Sequence, residues 1–133
     1  MKLDPEDLRK RVRERLAEQR ALVRSLLELR EQLGGSLFAR YALCGKEACA
    51  CRQGRKHGPY YVLSTRSGGK GGFAYIEGGK LGEARDLVRR YREFKAGLRR
   101  LRKLNVELVD GLRRYQAVMS RKGGRRLGIQ TGL

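Results

Sequence analysis

Apolar positions along the chain fall into three successive patterns. Leu8, Val12, Leu16, Val23, Leu26, Leu27 and Leu33 recur at mostly helical spacing, with Gln19 and Arg30 interrupting the stripe. Ahead of them, Asp4-Pro5-Glu6-Asp7 offers a capping side chain, a proline suited to the first helical position and acids that favour the positive end of the helix dipole. The pattern predicts an amphipathic N-terminal helix over residues 1–33, stopped by Gly34-Gly35. Residues 34–80 change period. Ser36 to Leu43 alternates as a strand, Tyr60-Tyr61-Val62-Leu63-Ser64-Thr65 is aromatic and β-branched, and a glycine-rich turn, Ser67 to Gly72, joins it to Phe73-Ala74-Tyr75-Ile76. A small antiparallel sheet is expected there.

The third pattern is the longest. Leu87, Tyr91, Phe94, Leu98, Leu101, Asn105, Leu108, Leu112, Tyr115 and Met119 follow one another in alternating steps of four and three. These are heptad a and d positions, and they predict a coiled-coil-like helix over residues 81–121. A lone Asn at an a position fixes register and partner number in coiled coils, so Leu98, Leu101, Asn105, Leu108 and Leu112 are the candidate seam, against either the first helix or a second copy in a homodimer. Gly97 and Gly111 lie two heptads apart beside it, each costing the isolated helix about 1 kcal/mol relative to Ala, which points to close packing against a neighbour. Residues 122–133 read as a mobile basic tail.

Together these patterns give an α+β fold: an N-terminal helix, a small antiparallel sheet at residues 34–80 and a long C-terminal helix. Charge then narrows the function. Across 133 residues, 32 Lys and Arg face 14 Asp and Glu, a net charge of +18. The excess grows along the chain: nine basic and seven acidic residues in 1–33, eight and two in 34–80, fifteen and five in 81–133. Solubility needs far less, so a polyanion is the expected partner, DNA or RNA, alone or in a larger nucleoprotein complex. No stretch approaches the length of a membrane span, and the acidic N-terminus has no apolar run, so a cytoplasmic protein with no membrane contact is expected.

All three cysteines and the single histidine fall within 14 residues, as Cys44-x4-Cys49-x-Cys51-x5-His57. In a reducing compartment an odd cluster of thiols reads as metal ligands rather than a disulfide and a leftover, and three thiolates with an imidazole suit one tetrahedral Zn²⁺. The blander reading leaves one cysteine as an unligated core residue and His57 as a hydrogen-bonding turn residue. Four protein ligands would close the metal to substrate. No second histidine is present as a base, and His57 is flanked by Lys56 and Gly58 where a zinc deaminase needs a glutamate beside its histidine, so no enzyme activity and no catalytic residue is expected. The residues expected to contact nucleic acid are Arg52, Arg55, Lys56, Tyr60, Arg66 and Lys70 around the metal loop and hairpin, and Arg89, Arg92, Arg99, Arg102 and Lys103 on the long helix. Tyr60, Tyr61, Phe73 and Tyr75 supply π faces that either stack bases or fill the small core. The rival to direct binding is an assembly or adaptor protein whose helices dock on an acidic protein or a ribonucleoprotein.

Gly35-Ser36-Leu37, Arg40-Tyr41, Cys44-Gly45-Lys46, Cys49, Cys51 and His57-Gly58-Pro59-Tyr60-Tyr61, with Tyr91-Arg92-Glu93-Phe94 in the following helix, resemble a family of small bacterial and archaeal proteins known as a domain of unknown function. The resemblance covers residues 34–95. Members are often associated with mobile elements, so the resemblance implies that Cys44, Cys49, Cys51 and His57 act as a set and that the context is the nucleic-acid transactions of such an element. It brings no established activity.

Overall fold

The computed structural model describes residues 4–67 and 70–130. Its order is α1 (Pro5–Glu28), β1 (Ser36–Ala42), a 3₁₀ turn (Ala50–Gln53), β2 (His57–Ser67), β3 (Lys70–Ile76), a second 3₁₀ turn (Gly78–Lys80) and α2 (Leu81–Arg126). The architecture is α+β, as the periodicity predicts. The chain divides into two compact units: Met1–Glu28 with Lys95–Leu133, and Leu29–Phe94.

The first unit is an antiparallel pairing of α1 with the later part of α2. Asp4 caps α1: the Glu6 N–H donates to Asp4 Oδ1 at 3.0 Å, and the Leu8 N–H to the Asp4 carbonyl at 3.1 Å. The two glycines of α2 mark where the helices come closest. A Cβ at Gly97 would drive into the Leu26 side chain, and one at Gly111 would meet Val12 at 2.9 Å. Leu104 is wholly buried, and Leu8 and Leu26 nearly so. Polar pairs follow the same antiparallel register: Gln19 Nε2 donates to Asn105 Oδ1 at 2.6 Å, Arg15 Nε lies 2.8 Å from Glu107 Oε2, and Arg100 pairs with Glu18. Asn105 therefore has its amide partner inside the chain. Of the candidate seam, Leu101 and Leu108 are half-buried, while Leu98 and Leu112 stay exposed. The most enclosed column of α2 is Gly97 and Leu104, one position ahead of the Leu98–Asn105–Leu112 column.

The second unit is the sheet, in the order β1-β2-β3, all antiparallel. Register pairs Phe38 with Val62 and Val62 with Tyr75, and next to them Leu37 with Leu63 and Leu63 with Ala74. Because side chains alternate along a strand, Leu37, Leu63 and Ala74 line one face, and Phe38, Arg40, Tyr60, Val62, Phe73 and Tyr75 the other. The buried apolar residues of this unit are Leu63 on the first face, Val62 on the other, Ala84 and Val88 from the start of α2, and Cys51 in the loop between β1 and β2. Arg85 lies over the Tyr61 ring at 5.7 Å on the Leu63 face.

Three boundaries differ from the sequence expectation. α1 stops at Glu28, and Arg30, not a glycine, takes the left-handed conformation at φ 51°. Gly34 instead lies against the Tyr91 ring, where a Cβ would sit 3.1 Å from it. α2 runs to Arg126, so Lys122 to Arg126 are helical rather than part of a mobile tail. The stop is a Schellman motif: Gly128 has φ 67°, its N–H donates to the Arg125 carbonyl at 3.2 Å, and the Ile129 N–H donates to the Gly124 carbonyl at 2.7 Å. The strands also extend into the glycine run, Gly71 and Gly72 pairing with Arg66 and Thr65. The centre of the expected turn, residues 68 and 69, lies outside the described residues.

Candidate metal centre

The metal loop begins where β1 leaves the sheet and ends where β2 enters it. Ala42 pairs with His57 across a register shift, so the two ends of the loop are held together by the sheet. Inside it, the Cys49 N–H donates to the Lys46 carbonyl at 3.3 Å, and the 3₁₀ turn at Ala50–Gln53 swings Cys51 inward, where it is 2% exposed. Gly54 closes that turn at φ 103°. Gly58 follows His57 at φ 132°, where a Cβ would stand 2.8 Å from the Arg40 carbonyl; only glycine allows the strand pairing beside the imidazole.

Four donors from this loop converge. Cys44 Sγ lies 3.5 Å from Cys51 Sγ, Cys49 Sγ 3.1 Å from His57 Nε2, and the ligand atoms of Cys44, Cys49, Cys51 and His57 all lie within 4.8 Å of one another. A tetrahedron around an ion with bonds of about 2.3 Å has edges of about 3.8 Å, so the donor set fits one metal ion with small adjustments. The four expected ligands are thus brought together. The backbone supplies further polarity: the Cys44 N–H points at Cys51 Sγ, 3.5 Å away. The Cys51 backbone N–H, followed by hydrogen bonds from the Cys44 and Cys51 thiols and His57, holds the Cys49 thiol down at about 6, which favours the thiolate that a metal takes. At Cys44 the Lys46 backbone lowers the value, but the Cys51 thiol, burial and Cys49 outweigh it and the net shift is upward. One negative charge in the cluster discourages a second, and a cation removes that conflict.

Around the centre, Arg52, Arg55 and Lys56 are exposed, and none has an ion-pair partner among the described residues. Tyr60 is 46% exposed on the sheet just past His57. The side chains of Arg66 and Lys70 lie outside the described residues. On α2, Arg92, Arg99, Arg102 and Lys103 are exposed. Arg89 differs from them, held by Asp86 on one side and by Glu93 at 2.7 Å on the other. Sequence reading does not bring Phe38 and Arg40 together with the other exposed aromatics. Only the strand register puts them on one face with Tyr60, Phe73 and Tyr75, and that register depends on pairing partners distant in the chain.

Among the described residues, no helix is long and apolar enough to cross a membrane. No curated protein and no solved structure matches the chain. Residues 5–86 match a family model described as Domain of unknown function (DUF6788), and this span contains all four donors and the whole sheet: the chain belongs to that family.

Proposed function

We propose that the chain is a nucleic-acid-binding protein in which a Zn²⁺ ion, held by Cys44, Cys49, Cys51 and His57, fixes a loop that presents Arg52, Arg55 and Lys56 to phosphates. The observation that carries this reading is the placement of those three cations. They are exposed and without an ion-pair partner among the described residues, and they sit between two of the four donors. A structural metal explains why so short a loop can hold three like charges close together. The four-donor set leaves no ligand position for substrate, so the chain acts as a binding module rather than an enzyme. Arg92, Arg99, Arg102 and Lys103 on α2 add phosphate contacts, and the exposed Leu98 and Leu112 provide the interface of a homodimer that doubles the cationic surface. Cytoplasmic location and service to a mobile element complete the reading, the latter carried by the family resemblance.

The test is binding of a labelled duplex and a labelled single strand by the zinc-loaded protein at several salt concentrations. Affinity falls steeply between about 50 and about 200 mM salt if phosphates are the main contact. Absence of any binding at low salt overturns the proposal in favour of an adaptor that docks on an acidic protein. Sequencing the nucleic acid that co-purifies from the native host identifies the cognate class.

A further inference from the structure

The outer face of the sheet is an unusual surface for so small a domain. Phe73 is 72% exposed and Tyr75 64%, two residues apart on β3 and therefore about 7 Å apart on the same face. Phe38 on β1 meets Phe73 edge-on, with ring centroids 6.3 Å apart and planes at 86°. The edge contact leaves much of the Phe73 ring open to solvent. Arg40 Nη1 donates to the Tyr75 hydroxyl at 3.3 Å, setting a guanidinium among the rings. Tyr60 is opposite Arg40 in the register, next to the metal loop, and Val62 is 1% exposed beneath these side chains. The rings help to cover Val62, yet Phe73 and Tyr75 keep most of their own surface available.

Exposed aromatic rings on a sheet invite self-association unless a ligand is meant to cover them. The charge around this face selects the ligand. From Ser36 to Ile76 the chain carries seven Lys and Arg and a single acid, Glu47. An apolar protein partner or a second copy of the sheet would bring no anion to meet these cations. Duplex nucleic acid would bring phosphates but keeps its bases stacked on one another. Unpaired nucleotides bring both a phosphate backbone and free base faces.

We propose that this face binds single-stranded nucleic acid, with bases stacking on Phe73, Tyr75 and Tyr60, the Arg40 guanidinium contributing a planar cation, and Arg52, Arg55 and Lys56 holding the adjoining phosphates. This rests on the nucleic-acid reading above and names its substrate class. Stacking is tolerant of sequence because every base has a π face, so selectivity is for strandedness rather than for particular bases. The shared chemistry is the unpaired base, whether the backbone is deoxyribose or ribose.

The test is fluorescence anisotropy at one salt concentration with labelled oligo(dT), oligo(U) and a duplex of matched length, using the zinc-loaded full chain. Single strands are expected to bind more tightly than the duplex, with the two single-strand arms showing which sugar is preferred. F73A and Y75A are each expected to weaken single-strand binding roughly tenfold and to leave duplex binding nearly unchanged. Y75F keeps the ring and retains binding. Both alanine positions are exposed, and an unchanged zinc content and circular dichroism spectrum establishes that the variants are folded. Equal or tighter duplex binding, with F73A and Y75A inert, overturns this proposal while leaving phosphate-driven binding intact. Loss of self-association in F73A without any change in oligonucleotide binding also overturns it, making the face a protein interface. No binding by any arm at low salt overturns both readings.

Discussion

Cys51 is the most enclosed of the four donors, so replacing it leaves little freedom for water to take its place. Cys51→Ser is expected to lower zinc affinity by at least ~100-fold, the upper end of what losing even an outer-shell partner costs, and native mass spectrometry reads the change from one bound zinc per chain to none. In the wild type, zinc should shield the thiols from alkylation, and a chelator should expose all three. The donor set was legible in the sequence, because Cys44, Cys49, Cys51 and His57 are local and their chemistry is distinctive. The exposed partners of Tyr60 were not. Whether Tyr61 or Tyr75 is covered depends on which face α2 packs against, and the alternation along β2 is the same in either case.

At the scale of elements, the two helices meet through glycine. Gly97→Val puts a branched side chain against the nearly buried Leu26, and the expected loss is roughly 1–3 kcal/mol by urea unfolding. Gly123→Ala, with open space around the new methyl group and a helical backbone, is expected to gain about 0.5–1 kcal/mol in the same measurement. The contrast separates glycines kept for contact from glycines that only weaken the helix. Close packing at Gly97 and Gly111 follows directly from their heptad spacing, and the helix–sheet–helix order from the change of period. The helix ends were less readable. Gly34-Gly35 looks like a stop but serves Tyr91 packing and the sheet, whereas Gly123-Gly124 looks like a stop and is helical, the true one being Gly128. A glycine permits a left-handed turn without requiring one, so its presence alone does not place a boundary.

At the scale of the molecule, the heptad stripe is only partly used within the chain. Asn105 is bonded to Gln19 within the chain, while Leu112 and Val109 remain exposed beside it. If a second copy covers that stripe, Leu112→Glu should convert a dimer to a monomer in sedimentation velocity; a wild-type monomer at micromolar concentration would remove the dimer from the proposed function. The antiparallel pairing of α1 with the later part of α2 has a further consequence. Its two arms are separated in the chain by residues 29–94, the unit that carries the four donors. The family match ends at residue 86, before the stretch of α2 that shelters Leu8 and Leu26 begins at Lys95. A fragment cut at that boundary would keep every donor and every strand, yet would strip α1 of its cover and the sheet unit of Val88 and Tyr91. Such a fragment is expected to bind zinc with its full ligand set, to lose α1 helicity by circular dichroism and to aggregate through the bared leucines. The matched span is therefore expected to be shorter than the piece that folds.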